Sequence, residues 1–395
     1  MEDPLELLAS LTDEDWAGAN PLSPDFRDDP YPALHRLRAR DPVNLSPIGT
    51  WRLTRYDDVA QVFKHAPTSM TLPDGSNPNF DPLDRRGSFN EFMLNKDGNE
   101  HMRLRRLVVK AFTRRALDNI QLEIDLAVTS ALDRAAADGG MEVVHDLALY
   151  VPSRMICRIM GVPEADRLQF TAWTAARTNA FFARFLPEDV RQRVREAGSA
   201  IADYFDALVE ERRKNLGNDL LSELIRAEED GDRLHEGELT VQAVGLLVAG
   251  FETTIGLIGN GLRAFIEHPD QMRILRGRPE LIDNAVEECL RYDAPILFNW
   301  RILTEDYEIG ERLLPRDAVL WPMIGAANRD PARFSDPDRF DIMRDDVAHQ
   351  SFGGGPHFCL GHQLARMEAR SAIGAFIRRF EAPRIDTQGL SWSQS

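Results

Sequence analysis

Residues 352–361 read FGGGPHFCLG, and the stretch behind them, HQLARMEARSAIGAF (362–376), has helical spacing. One thiol, Cys359, follows three glycines and a histidine. A lone cysteine is most often a small buried hydrophobe. The setting argues otherwise. Gly353, Gly354 and Gly355 permit backbone shapes closed to other residues and let the chain lie close against something flat. The helical spacing puts Cys359 at a helix N-terminus, where free N–H groups and the helix dipole favour a thiolate. A thiolate is a metal ligand, and Gly361 leaves room for a large planar group. A zinc site from His357, Cys359 and His362 is the competing reading. Structural zinc wants four closely set ligands, usually with more cysteines, and the sequence offers none nearby.

Three further patterns lie upstream. Glu288 and Arg291, in VEECLRY (286–292), are spaced i, i+3 and can pair on one helix face. His101 and Arg105, in GNEHMRLRR (98–106), share a face at i, i+4. AGFETT (249–254) closes a stretch, 243–251, that is almost wholly apolar or small, so its helix is expected to be buried on nearly all sides. Glu252 and Thr253 then follow with no cation nearby, a costly arrangement unless functional. The alternative for Thr253 is a bond back to a helix carbonyl, which bends the helix.

Phe352-Gly353-x-Gly355-x-His357-x-Cys359-x-Gly361 resembles the haem-binding signature of the cytochrome P-450 family at every defining position, and the other three motifs stand in the family's order. The resemblance implies haem b with Cys359 as the axial ligand of its iron. It implies that His101, Arg105, Arg301 and His357 face the propionates, and that Phe352, Gly353, Gly361 and Ala249 pack on the haem. Glu288 and Arg291 would pair in the core, take Arg339 of PDRF (337–340) as their arginine partner, and hold the loop before the cysteine. Glu252 and Thr253 would deliver protons to bound dioxygen. An aspartate is equally familiar at position 252, and the longer glutamate leaves the geometry of the proton route open. The substrate pocket would draw on the 67–98 loop, Trp173, Phe181, Phe182, Gly245, Val248, Ala249, Ile296, Leu297 and Phe298. Gly245 has two readings, room for a bulky substrate or close helix packing.

The implied reaction inserts one atom of dioxygen into a lipophilic small organic substrate. The chain is expected to carry no flavin or iron–sulfur domain, so electrons would come from a separate ferredoxin and ferredoxin reductase. The rivals are a peroxygenase driven by hydrogen peroxide and a non-enzymatic haem sensor or carrier. Neither needs the acid–alcohol pair.

The whole chain fits this reading. It has 395 residues, a net charge of −17 and three cysteines with no CxxC pair. So acidic a balance argues against nucleic acid as the main partner, because phosphate binding needs an extensive basic face. The N-terminus shows no signal-peptide pattern, and no run is expected to be long and apolar enough to span a bilayer, the best candidate, VGLLVAG (244–250), being too short. The expected location is the cytoplasm, with reduced thiols. A basic face from Arg103, Arg106, Lys110, Arg114, Arg115, Arg366 and Arg370 would receive an acidic ferredoxin. The expected fold is mainly α with minor β, a single large haem-thiolate domain over 1–395 with an irregular start of about thirty residues. Helices are expected through most of 100–381, a hairpin in NLSPIGTWRLTRY (44–56), and late strands in FNWRILT, DYEIG and DAVLW.

Overall fold

The computed structural model describes residues 11–21, 23–81, 83–84, 91–111, 120–177, 180, 183, 186–229 and 237–386. In chain order the helices are α1 (Pro24–Asp28), α2 (Tyr31–Arg40), α3 (Tyr56–Lys64), α4 (Gly98–Ala111), α5 (Ile120–Asp138), α6 (Tyr150–Met160) and α7 (Arg167–Arg177). They continue with α8 (Glu188–Lys214), α9 (Leu220–Glu229), α10 (Glu238–Glu267), α11 (Pro269–Gly277), α12 (Ile282–Tyr292), α13 (Ile324–Asn328) and α14 (His362–Arg379). The strands are β1 (Val43–Leu45), β2 (Trp51–Leu53), β3 (Thr68–Ser69), β4 (Arg301–Leu303), β5 (Tyr307–Ile309), β6 (Arg312–Leu314) and β7 (Val319–Pro322). The fold is mainly α with minor β.

Two compact units partition the chain. One comprises 1–75, 260–362 and 377–395 and contains all the strands. Its five-stranded sheet has the order β1-β2-β7-β4-β3. The β1–β2 hairpin pairs Val43 with Leu53, and β2 runs parallel to β7 with Trp51 opposite Leu320. β5 and β6 form a separate hairpin that turns at Gly310, whose φ is +61°. Its core joins Val43, Leu53 and Leu320 to Val59, Val62 and Phe63 of α3. The β6 strand and the short α13 lack a period long enough to read from sequence.

α3 begins without a local side-chain cap. Its N-cap is Arg55, which makes no side-chain cap, and Asp57 and Asp58 fall inside the first turn. The cap comes from far along the chain, because the Tyr56 N–H donates to Asp330 Oδ2 at 2.8 Å.

The other unit comprises 76–259 and 363–376. Here α7 packs along α8, α4 along α9, and α5 along α6. α10 is apolar enough that residues 243–248 are all buried; 249, 252 and 253 are partly exposed and Gly250 is exposed. This helix corrects the expectation that no stretch is long and apolar enough to cross a bilayer. At 30 residues it meets that test by length and composition, because Gly, Ala and Thr extend the apolar run. Of its most apolar window, 61% is buried inside the protein.

Candidate active site

The cysteine loop lies wholly in the first unit. A 3-10 turn at Gly355–His357 precedes Cys359, whose N–H donates to Phe352 O at 3.0 Å. Gly353 and Gly355 have φ of +65° and +63°, a region where a Cβ clashes with the backbone. Gly355 is doubly required, since an added Cβ would come within 2.4 Å of the Phe63 carbonyl oxygen. A Cβ on Gly353 or Gly361 would meet nothing within 4 Å. α14 starts at His362, so Cys359 precedes its first turn. Phe352 contacts the rings of His349, Phe358 and His362 at 5.6–6.4 Å. His357 is half-buried. Among the described residues, no cluster of three or more His, Cys, Asp or Glu side chains is placed to hold a metal ion, so the zinc reading has no ligand set.

Side chains tie this loop to α12. The Gln350 N–H donates to Asn328 Oδ1 at 2.7 Å, Asn328 Nδ2 donates to Ser351 Oγ at 2.8 Å, and Ser351 Oγ donates to Leu290 O at 2.6 Å. Asn328 was not singled out in the sequence, where an asparagine in an irregular stretch carries no period.

On the same helix Glu288 and Arg291 are both fully buried and joined bidentately, Nε–Oε2 at 2.6 Å and Nη2–Oε1 at 2.8 Å. Arg291 spends its remaining N–H groups on the carbonyls of Asn328, Pro337 and Arg339, at 2.7–3.1 Å. The expected partner is corrected here. Only the backbone of Arg339 takes part. Its guanidinium points to Asp341 at 3.6 Å and is 61% exposed. The second cation on Glu288 is Arg344, whose Nε lies 3.4 Å from Oε2 and whose side chain is 9% exposed. Both arginines lie on the same coiled stretch, so spacing alone did not separate them.

Arg301 is buried; its Nη1 donates to Trp300 O at 2.7 Å and its guanidinium lies 5.2 Å from the Phe63 ring. Of the three pocket residues in this unit, Phe298 stacks on Trp321 at 4.6 Å and Ile296 is 40% exposed. Leu297 lies against Gly325, where an added Cβ would meet its Cδ2 at 2.8 Å.

In the second unit, the Thr253 hydroxyl donates to Ala249 O at 3.0 Å and the Thr254 hydroxyl to Gly250 O at 3.2 Å. The bond back to a helix carbonyl, weighed for Thr253 from sequence, is therefore made. Glu252 and Ala249 are partly exposed and Val248 is buried. Gly245 is packed, because a Cβ there would fall 2.2 Å from the ring of Phe92, itself 2% exposed. That corrects the reading of Gly245 as open room, since an aromatic ring occupies it.

His101 is 2% exposed, and its Nδ1 lies 2.8 Å from Met93 O. A carbonyl only accepts, so Nδ1 carries the proton. Arg105 is half-buried and Arg106 exposed. Arg103 is engaged with both carboxylate oxygens of Glu238, at 3.1 and 2.6 Å, which removes it from the basic face. Phe181, Phe182, Arg114, Arg115 and the Lys110 side chain lie outside the described residues.

Residues 43–277 and 278–389 match the Cytochrome P450 family. The chain belongs to the cytochrome P450 family. It is 37% identical over 377 residues to Cytochrome P450 107B1 of Saccharopolyspora erythraea, covering 91% of this chain and 90% of that one. It is 38% identical over 366 residues to the cytochrome P450 monooxygenase PikC of Streptomyces venezuelae, covering 91% and 85%. Among solved structures, that of CalO2 is similar with a TM-score of 0.84 at 35% identity, covering 91% and 90%. This P450 is therefore an oxidoreductase of the haem-thiolate monooxygenase class, which takes redox partners, small-molecule substrates and oxygen.

The residues fit a haem. Cys359 is the partly exposed thiol, in a loop with open space beside Gly353 and Gly361. The other two cysteines are buried, and burial pushes the Cys157 thiol up to about 12 and the Cys289 thiol well above its ordinary range. Burial therefore disfavours a thiolate at either.

Proposed function

We propose that this P450 holds haem b and inserts one atom of dioxygen into a lipophilic small organic substrate, with electrons from a separate ferredoxin and ferredoxin reductase in the cytoplasm. The observation that carries the reading is the Cys359 loop, glycine-shaped and tied through Asn328 and Ser351 to the helix of the buried Glu288–Arg291 pair. Bound haem supplies the dioxygen and electron-transfer chemistry. The reading of a single haem domain is supported by the family match over 43–277 and 278–389.

Cys359 holds the iron through sulfur. His101, Arg105, Arg301 and His357 hold the propionates, for which His101 keeps Nε2 as its second ring nitrogen. Glu288, Arg291 and Arg344 keep the loop in place. The Thr253 hydroxyl, while donating to Ala249 O, can accept a hydrogen bond from a water; rotation about its side chain turns the O–H away from the carbonyl. Glu252, one residue before and partly exposed, is the acid that recharges that water with a proton. Val248, Ala249, Ile296, Leu297 and Phe298 furnish the apolar wall. Relatives named vitamin D(3) 25-hydroxylase and 6-deoxyerythronolide B hydroxylase, at 37% and 36% identity, support a bulky lipophilic substrate.

The carbonyl complex of the reduced protein tests the thiolate. Wild type should give the red-shifted Soret band, and Cys359→Ala should lose it; retention by the variant would overturn the ligand assignment. Product formed with ferredoxin and its reductase, and not with hydrogen peroxide alone, separates a monooxygenase from a peroxygenase. A screen of lipophilic ligands for haem spin-state change then narrows the substrate.

A further inference from the structure

The carboxamide of Gln242 is fully buried in the largely apolar helix α10, where an unpaired amide would be costly. Both of its polar atoms are used on one segment. The Met93 N–H donates to its Oε1 at 3.0 Å, and its Nε2 donates to Glu91 O at 3.1 Å. Between these two anchored residues stands Phe92, its ring seated on Gly245 one helical turn beyond Gln242. The next turns of α10 carry Ala249 and then Thr253. Met93 is tied a second time, through the bond from His101 Nδ1 to its carbonyl. Earlier in the loop Asp84 is held separately by Arg177 at 2.6 Å, so loss of Gln242 would release the 91–95 turn and not that earlier anchor.

We propose that Gln242 is a positioning residue. It clamps the turn carrying Phe92 to α10, and this clamp governs how fast, and at what size, a ligand reaches the Glu252–Thr253 stretch. The inference rests on the monooxygenase reading for its consequence, while the clamp itself can be read independently of that chemistry. A glycine at 245 is then explained as the socket for Phe92. A glutamine carries a donor and an acceptor on one planar group, so it can pair a carbonyl and an N–H two residues apart.

The test uses haem-loaded protein and the variant Gln242→Met, similar in length but without either hydrogen bond. Amide hydrogen exchange at Met93 and Asn95 should rise on the order of tenfold or more, with α10 amides at 244–248 unchanged. In stopped flow, the association rate of phenylimidazole, followed by its Soret shift, should rise severalfold while that of imidazole changes little. Unchanged exchange at Met93, an equal rise throughout α10, or equal effects on both ligands would overturn the clamp. If Gln242→Met fails to fold, Phe92→Ala keeps the amide bonds and should give the same size-dependent rates with Met93 still protected; size-independent rates there would overturn the proposal as well. A wild-type protein without the thiolate-type carbonyl spectrum would sink the monooxygenase reading and leave the exchange result to decide the clamp.

Discussion

Arg344 reaches Glu288 from a part of the chain that the sequence marks with no period. It also donates to the carbonyls of Ser335, Asp336 and Arg339, at 2.6–3.1 Å, so one side chain closes the coiled segment onto the buried pair. Removing it strips three carbonyls of a donor and a buried carboxylate of a nearby cation. Arg344→Ala should cost about 2–4 kcal/mol in chemical unfolding and lower the fraction of protein purified with haem. Arg339→Ala, which removes an exposed guanidinium and leaves the carbonyl that Arg291 uses, should stay within about 0.5 kcal/mol of wild type. The opposite ranking would restore Arg339 as the partner. Glu288 cannot be probed as gently, because its loss leaves Arg291 as a buried cation with three carbonyls and no counter-charge.

Two helices make predictions of their own. On α10, Gly245→Ala places a Cβ 2.2 Å from a ring that is itself buried, and overpacking of this kind costs about 1–3 kcal/mol. Phe92→Ala in the same chain should recover most of that loss, giving a coupling in a double-mutant cycle of thermal unfolding; purely additive effects would show that the two residues do not compete for one space. On α14, Glu368 is 2% exposed, and burial pushes its carboxyl up to about 8 from an ordinary value of 4.5. The folded state thus keeps a proton that the unfolded chain gives up. Stability is not penalised below about pH 4.5, falls as pH rises from there to about 8, and is flat above it. Glu368→Gln removes the titrating group. Its stability relative to wild type should rise between about pH 5 and pH 8, by as much as a few kcal/mol, in urea unfolding midpoints. A gap independent of pH would mean that the carboxyl ionises freely.

At the scale of the whole protein, a net charge of −17 would oppose approach of the proposed acidic electron donor, so encounter would depend on local basic residues. Arg103 is neutralised by Glu238, which leaves Arg106 as the exposed arginine on the described face of α4. Arg106→Glu should slow reduction by an acidic ferredoxin severalfold at low ionic strength, and the deficit should shrink as salt screens it. An equal rate for variant and wild type at low salt would place docking elsewhere.

Composition, period and motif spacing determined much of this molecule. The helix of 238–267, the hairpin at 43–53 and the pairing of Glu288 with Arg291 follow from local pattern, because helix and strand periods and i, i+3 neighbours are properties of short segments. The glycine loop at Cys359 was legible for the same reason, since positive φ is a demand of single residues. What only the tertiary structure decided are contacts between segments far apart in sequence. The remote Asp330 cap on α3, Arg344 in place of Arg339, Phe92 filling the notch at Gly245 and the Gln242 clamp are of this kind. One residue offered a signal that went unread. Gln242 is an amide in a largely apolar stretch of helix, and a buried amide must find partners. Which partners it finds is set by packing, because a side chain's reach is local while the backbone brought within that reach is fixed by the whole fold.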